Sequence, residues 1–496
     1  MFEAVELGRK VSKAQFAEQV PALRTELLAA QREAERAQVP VILVIAGVEG
    51  AGKGYVVNRL NEWLDSRGVR THAFWDETDE ERERPRYWRF WRTLPPRGTV
   101  AVLFGAWYSE VIDAHVAGRL DDNALGRRLG RVNALERMLT DDGALIVKFW
   151  FHLSREEQAK RFKQFAKRGS RRRGLNRHEK RYAKHYDEFI RSAERAIRLT
   201  DGACPWHLIE ANDRRYRDLT MGRALLTAMQ QRLRTPAAPP PAAPATATAE
   251  IAEDHDAAPL TVLDHIDLAR RADEGSYHAR LRDYQDELNR LTWRAWEMRR
   301  STVAVFEGWD AAGKGGAIRR ATAQIDARLY NVISVGAPTD EERAHHYLWR
   351  FWRHLPRAGY VTLYDRSWYG RVLVERVEGY AGRDEWSRAY REINDFEEQL
   401  CEHGIALAKF WIHIDPDEQL RRFHLRERTP WKRHKIGPED WRNRQKWDEY
   451  KLAVNDMVEH TSTTHAPWSL IAGNDKKFAR LEILRQLCAH MQALVD

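Results

Sequence analysis

The chain has 496 residues, 43% of them apolar and 31% charged, which excludes an intrinsically disordered protein and leaves room for two or more domains with cores of their own. Its net charge of +9 is a modest surplus over many charges of both signs, so a polyanionic partner is expected without composition choosing which. Cys204, Cys401 and Cys488 are too few and too far apart for a disulfide framework or a zinc site, and suit a reducing compartment.

Taken in order, Met1 to Lys13 lacks an apolar stretch, and the longest apolar run, Val39 to Val48, is interrupted by Pro40 and Gly47. Neither a signal peptide nor a membrane span is expected, and a cytoplasmic location follows. Phe16, Val20, Leu23 and Leu27 form the stripe of an amphipathic helix. The apolar run then reaches a glycine-rich turn holding Gly47, Gly52 and Lys53.

These features return. Gly52-Lys53 and Gly313-Lys314 are 261 positions apart, and the same offset places Trp88–Arg92 on Trp349–Arg353, Trp107-Tyr108 on Trp368-Tyr369 and Lys148-Phe149-Trp150 on Lys409-Phe410-Trp411. It becomes 262 by Pro205-Trp206 and Pro467-Trp468. Residues 235–259, rich in Pro and Ala, separate the copies as an extended tether, giving domains of about 1–234 and 260–496. Apolar stretches alternating with helical sequence predict, in each domain, a mostly parallel sheet flanked by helices, with ligands at the C-terminal ends of the strands.

The second copy opens on a helix marked by Tyr277, Leu281, Tyr284, Leu288 and Leu291, then runs Val303-Ala304-Val305-Phe306 into Gly308-Trp309-Asp310-Ala311-Ala312-Gly313-Lys314-Gly315-Gly316. A strand, a glycine-rich turn and a helix let backbone N–H groups converge on phosphate oxygens while Lys314 supplies a cation. Gly315 stands where most P-loops carry the Ser or Thr that ligates magnesium, and Asp310 is the natural replacement. Val361–Tyr364 reads as a strand ending in Asp365, so Asp310 and Asp365 are expected to hold a metal ion between them, with Arg366 and Arg371 facing the phosphoryl group. Arg421 to Lys435, including Arg422, Arg426, Lys432 and Lys435, is dense in cations and is expected to form a mobile basic lid. In Trp-Arg-Phe-Trp-Arg the rings are expected mostly in the core, with Arg350 and Arg353 toward the anion path.

On EGWDAAGKGGAI (Glu307–Ile318), YLWRFWRHLP (Tyr347–Pro356), DRSWYGRVLVERVEG (Asp365–Gly379) and KFWIHI (Lys409–Ile414), the second copy closely resembles the polyphosphate kinase 2 family, whose tandem members are associated with polyphosphate:AMP phosphotransfer. The resemblance implies two thymidylate-kinase-like P-loop domains, each with a helical lid, and transfer of the terminal phosphoryl group of inorganic polyphosphate to AMP, giving ADP. It implies Mg2+ on Asp310 and Asp365, essential phosphate contacts from Lys314 and Arg366, a phosphate cradle on Gly308, Gly313, Gly315 and Gly316, and a lid arginine at Arg426. Family members also carry Gly after the lysine. Rival readings are a polyphosphate-dependent nucleoside diphosphate kinase, an ATP-dependent small-molecule kinase and a nucleic-acid-binding P-loop relic; neither nucleic acid nor membrane is the expected partner.

The first copy departs from this pattern. Glu49 replaces Asp310, Phe104 replaces Asp365, Gly105 replaces Arg366 and Glu110 replaces Arg371. A catalytically silent domain is expected, its lid region from Lys160 to Lys184 still basic. It is expected to stand in for the second subunit of a dimer, so that the chain acts as a monomeric pseudo-dimer or a higher homo-oligomer.

Overall fold

The computed structural model describes residues 1–167, 184–234 and 261–496. The basic run from 168 to 183 and the tether at 235–259 lie outside the described residues. Contacts divide the chain into two compact units: Met1–Glu77 with Arg89–Pro239 and Asp340–His346, and Thr78–Trp88 with Pro240–Thr339 and Tyr347–Asp496.

The first unit holds five strands, β1 (Val41–Gly47), β2 (Val69–Ala73), β3 (Val100–Phe104), β4 (Leu145–His152) and β5 (Trp206–Glu210). All seven residues of β1 are buried. An unbroken apolar run with no polar alternation is what a strand covered on both faces requires, and such strands pair in parallel. The order is β2-β3-β1-β4-β5, and each of the four pairings is parallel. The second unit repeats this with β6 (Thr302–Gly308), β7 (Tyr330–Ser334), β8 (Val361–Asp365), β9 (Ala406–His413) and β10 (Trp468–Ala472), in the order β7-β8-β6-β9-β10. Its pairings are also all parallel, where a mostly parallel sheet was expected.

The repeated Lys-Phe-Trp element is explained by a buried polar network present in both units. Lys409 on β9 donates to Glu397 at 2.7 Å, to the Tyr369 hydroxyl at 2.9 Å and to the Thr461 carbonyl at 2.8 Å, while Trp368 Nε1 donates to Glu397 at 2.9 Å. Lys148, Glu136, Tyr108, Thr200 and Trp107 reproduce it on β4. Each ion is fully enclosed, so every donor and acceptor must be matched. The Trp-Arg-Phe-Trp-Arg element is likewise structural: Trp349, Phe351 and Trp352 are buried. Arg350 donates to the Gly336 carbonyl and Arg353 lies over the Trp349 ring. The three cysteines are unpaired. Among the described residues no helix is long and apolar enough to cross a membrane.

Candidate active site

In the second unit the central strand β6 runs into the glycine-rich loop, and the loop runs into the helix Lys314–Ala321. Gly308 is a glycine because of its neighbour: with φ at +148°, a Cβ there would stand 2.5 Å from the Ile412 carbonyl oxygen of β9. The Gly308 carbonyl accepts from Lys314 Nζ at 2.6 Å. Gly313, at φ +118°, caps the helix in the left-handed region. The amides of Lys314 and Gly315 stand in the first turn without intrahelical acceptors, the geometry that attracts an anion. Gly316 lines the same cleft, but its amide is spent on the Gly313 carbonyl at 3.0 Å.

The cleft, of about 560 Å3, brings together Asp310, Gly313, Lys314, Gly315, Asp365, Arg366, Arg426 and Lys435, and with them Arg319, His434 and Asp440. Parallel register sets Asp365 opposite Phe306, so its carboxylate emerges beside the loop. A Cβ at Gly315 would lie 3.5 Å from Asp365 Oδ2, so the carboxylate occupies the neighbourhood that a P-loop hydroxyl would fill. Arg366 Nη2 donates to Asp310 Oδ1 at 3.1 Å from a backbone at φ +66°, a conformation arginine rarely adopts. Asn443 donates to Asp310 Oδ2 at 2.9 Å, and Gln419 donates to the Asp310 carbonyl at 3.2 Å. Burial opposes charge on Asp310, but Lys314, Arg366, Asn443 and Arg426 outweigh it and hold the carboxyl below its usual range. Burial, then Arg366, push the Lys314 ammonium down. Glu307, buried and accepting from Ser367 at 2.8 Å, is pushed up by burial.

Three residues expected to contact phosphate, Arg422, Arg371 and Lys432, are not part of the cleft lining. Arg422 is buried and donates to the carbonyls of Ala311 (3.0 Å), Ala312 (2.7 Å), Gly473 (2.6 Å) and Asn474 (3.0 Å), and to Glu418. Its guanidinium braces the loop from behind. Arg161 does the same in the first unit, on Gly50, Ala211 and Asn212, although Glu49 and Phe104 stand there in place of Asp310 and Asp365. Arg371 turns to Glu375 at 3.2 Å and Glu385 at 3.7 Å. At the matching position of the first unit Glu110 pairs with Arg128 at 3.1 Å.

Residue types without an obvious signature complete the site. Trp309 stacks on Trp447 with ring centroids 3.7 Å apart and donates from Nε1 to His413 Nδ1 at 2.9 Å, which fixes the loop ahead of Asp310. The expected lid folds as the helix Pro416–Arg428, a 3-10 turn over Pro430–Lys435 and the helix Pro438–Gln445, which carries Asp440 and Asn443. Arg426 pairs with Asp440 at 3.8 Å.

The first unit keeps the loop backbone but carries different side chains at the matching positions. Lys53 Nζ is held by Glu49 Oε1 at 2.6 Å and the Gly47 carbonyl at 2.8 Å, with the Phe104 ring 6.0 Å away where the second unit has Asp365. At Gly105, φ +71°, a Cβ would meet the Phe74 carbonyl oxygen at 2.7 Å, which leaves no room for a counterpart of Arg366.

A parallel sheet whose central strand feeds a glycine-rich turn and lysine, with an acid and an arginine from the next strand, defines a P-loop phosphotransferase. The family model of polyphosphate kinase 2 matches residues 10–236 and 271–495, and the chain belongs to that family. It is 47% identical over 496 residues to the polyphosphate:AMP phosphotransferase of Pseudomonas aeruginosa, covering 98% of both chains, and 45% identical to that of Pseudomonas syringae, covering 98% of this chain and 97% of the relative. Its fold matches a crystal structure of a polyphosphate kinase 2 from Pseudomonas aeruginosa with a TM-score of 0.88 at 45% identity, covering 100% of this chain and 99% of the other.

Proposed function

We propose that the second unit transfers the terminal phosphoryl group of inorganic polyphosphate to AMP, giving ADP, and that the first unit is catalytically silent. The observation that carries this reading is the convergence of Asp310, Lys314, Asp365 and Arg366 on one cleft, against Glu49, Phe104 and Gly105 at the matching positions of the first unit. In the transfer, an AMP phosphate oxygen attacks the terminal phosphorus and the bridging P–O bond to the rest of the chain breaks. Little covalent work falls to the protein; positioning and charge neutralisation do the rest.

Lys314 and the first-turn amides hold non-bridging oxygens, while Arg366 and Arg426 neutralise charge at the transferring group. Among the described residues no cluster of three or more His, Cys, Asp or Glu is arranged for a metal ion. Two carboxylates, with phosphate oxygens and water completing the shell, fit Mg2+, which keeps several waters and prefers hard oxygen ligands. Asp310 and Asp365 would hold it, and its charge would offset that of the phosphates. Arg319 and Lys435 extend the cleft's positive lining, as a long polyanion requires.

AMP as the acceptor is supported by the tandem relatives; the relatives named for diphosphates, such as the GDP-polyphosphate phosphotransferase of Mycobacterium tuberculosis, match 46% of this chain. A cytoplasmic location and a chain acting as its own pseudo-dimer accord with this reading. The test is product analysis after mixing the protein with polyphosphate, a divalent ion and AMP, ADP, GMP or GDP, without ATP. ADP formed from AMP supports the proposal; phosphorylation of diphosphates alone overturns the acceptor assignment.

A further inference from the structure

The first unit carries a second cationic cleft, of about 350 Å3, lined by Arg9, Lys10, Gln15, Gln19, Tyr216 and Arg223 among others. Among the described residues no carboxylate lines it. Arg9 Nη1 donates to the Tyr216 hydroxyl at 2.8 Å, which leaves the hydroxyl proton free to donate outward. Arg223 Nη2 donates to the neutral Gln19 at 2.7 Å, and none of Arg9, Lys10 and Arg223 forms a side-chain ion pair. Glu210, whose charge also reaches Arg9, accepts the amides of Gly8 at 2.7 Å and Arg9 at 3.3 Å, and Asp213 accepts those of Val11 and Tyr216. They fix the segment that carries Arg9 and Lys10.

The second unit provides the contrast. Glu482 stands where the first has Thr220, and it holds Arg485, the counterpart of Arg223, through two bonds of 2.6 and 2.9 Å. Phe478 replaces Tyr216 and removes the hydroxyl, and Arg270, the counterpart of Arg9, faces Asp267 at 3.7 Å. One scaffold therefore neutralises this cleft in the unit that has the catalytic acids and leaves it cationic in the unit that lacks them. Uncompensated cations held together repel one another and are relieved by an anion.

We infer that the cleft of Arg9, Lys10, Tyr216 and Arg223 binds inorganic polyphosphate, giving the catalytically silent unit a holding site for the donor chain. The inference rests on the donor named above and deepens it. Phosphoanhydride chains repeat negative charge every few ångströms without bases, which suits an open basic cleft lined by side-chain donors.

The full-length protein tests it. Binding of long-chain polyphosphate is measured across a salt series with EDTA present, for the wild type, for Thr220→Glu, which copies the second unit's carboxylate beside Arg223, and for Arg9→Gln/Lys10→Gln/Arg223→Gln. The expected result is about three- to tenfold weaker binding in each variant with a shallower salt dependence, and a raised KM for long chains while kcat and the KM for AMP stay unchanged. Wild-type affinity and salt slope in both variants would overturn the inference, as would equal protection of the site by a short single-stranded RNA or by ADP, since the occupant would then be a general polyanion or a nucleotide. If AMP were not phosphorylated at all, the proposed reaction would fail while the binding result still judged the cleft.

Discussion

Asn443 donates its side-chain amide to Asp310 Oδ2 at 2.9 Å, so the helix Pro438–Gln445 positions a carboxylate of the glycine-rich loop more than a hundred residues earlier in the chain. With Arg366 on the other oxygen, the carboxylate of Asp310 has a fixed orientation before any ligand arrives.

That clamp makes Asn443 a positioning residue. Asn443→Ala is expected to raise the divalent-ion concentration needed for half-maximal AMP phosphorylation by about tenfold, the usual cost of removing a partner of a metal-binding carboxylate. Titration of activity with Mg2+ measures it, and an unchanged midpoint contradicts the role.

Arg422 and Arg161 hold equivalent loops in the two units, and their replacement separates structure from catalysis. Arg422→Ala strands several buried carbonyls and is expected to cost about 3 kcal/mol of stability and to slow AMP phosphorylation. Arg161→Ala is expected to destabilise by a similar amount and leave kcat unchanged. Denaturant unfolding and steady-state kinetics on both variants distinguish the two effects.

In the buried network, Lys409→Met leaves the Glu397 carboxylate enclosed without its cation. A loss of about 3–5 kcal/mol is expected. Lys148→Met should cost as much in the first unit, because Glu136 is enclosed in the same way. Unfolding midpoints of the two variants check the equivalence.

Burial, then the Lys451 ammonium, push the His413 imidazole down to about 4, consistent with Nδ1 accepting the Trp309 N–H. The folded state therefore refuses a proton that the unfolded chain takes up near pH 6.5, and stability present above that pH is lost as the pH falls toward 4. Between pH 7 and pH 5 this group should remove about 2 kcal/mol. His413→Asn, which keeps an acceptor and does not titrate, should lose less over the same interval in denaturant unfolding.

The sequence made the sheet and the centre of the site legible for local reasons. Asp310, Lys314 and Asp365 sit where a strand end and a fixed spacing from Gly313 determine position, and the repeat exposed which residues the two copies do not share. Asn443, Asp440 and Trp447 were not legible, because ordinary residue types reach the loop from a distant segment with no spacing to announce them. The partners of Arg422 and Arg371 were not legible for a different reason: an arginine that faces carbonyls or carboxylates looks the same in sequence as one that faces phosphate. The first-unit counterparts Arg161 and Glu110 carried a clue, since one was kept where the loop acids differ and the other reversed its charge.

The central claim, that one unit of the two performs the transfer, is tested most directly by following ADP formation from AMP and polyphosphate, without ATP, in Asp310→Asn and Lys53→Ala. Asp310→Asn is expected to lose at least a hundredfold in kcat, the scale of removing a transition-state charge contact, while Lys53→Ala keeps wild-type kcat. Full activity in Asp310→Asn, or loss of kcat in a folded Lys53→Ala, would contradict the assignment.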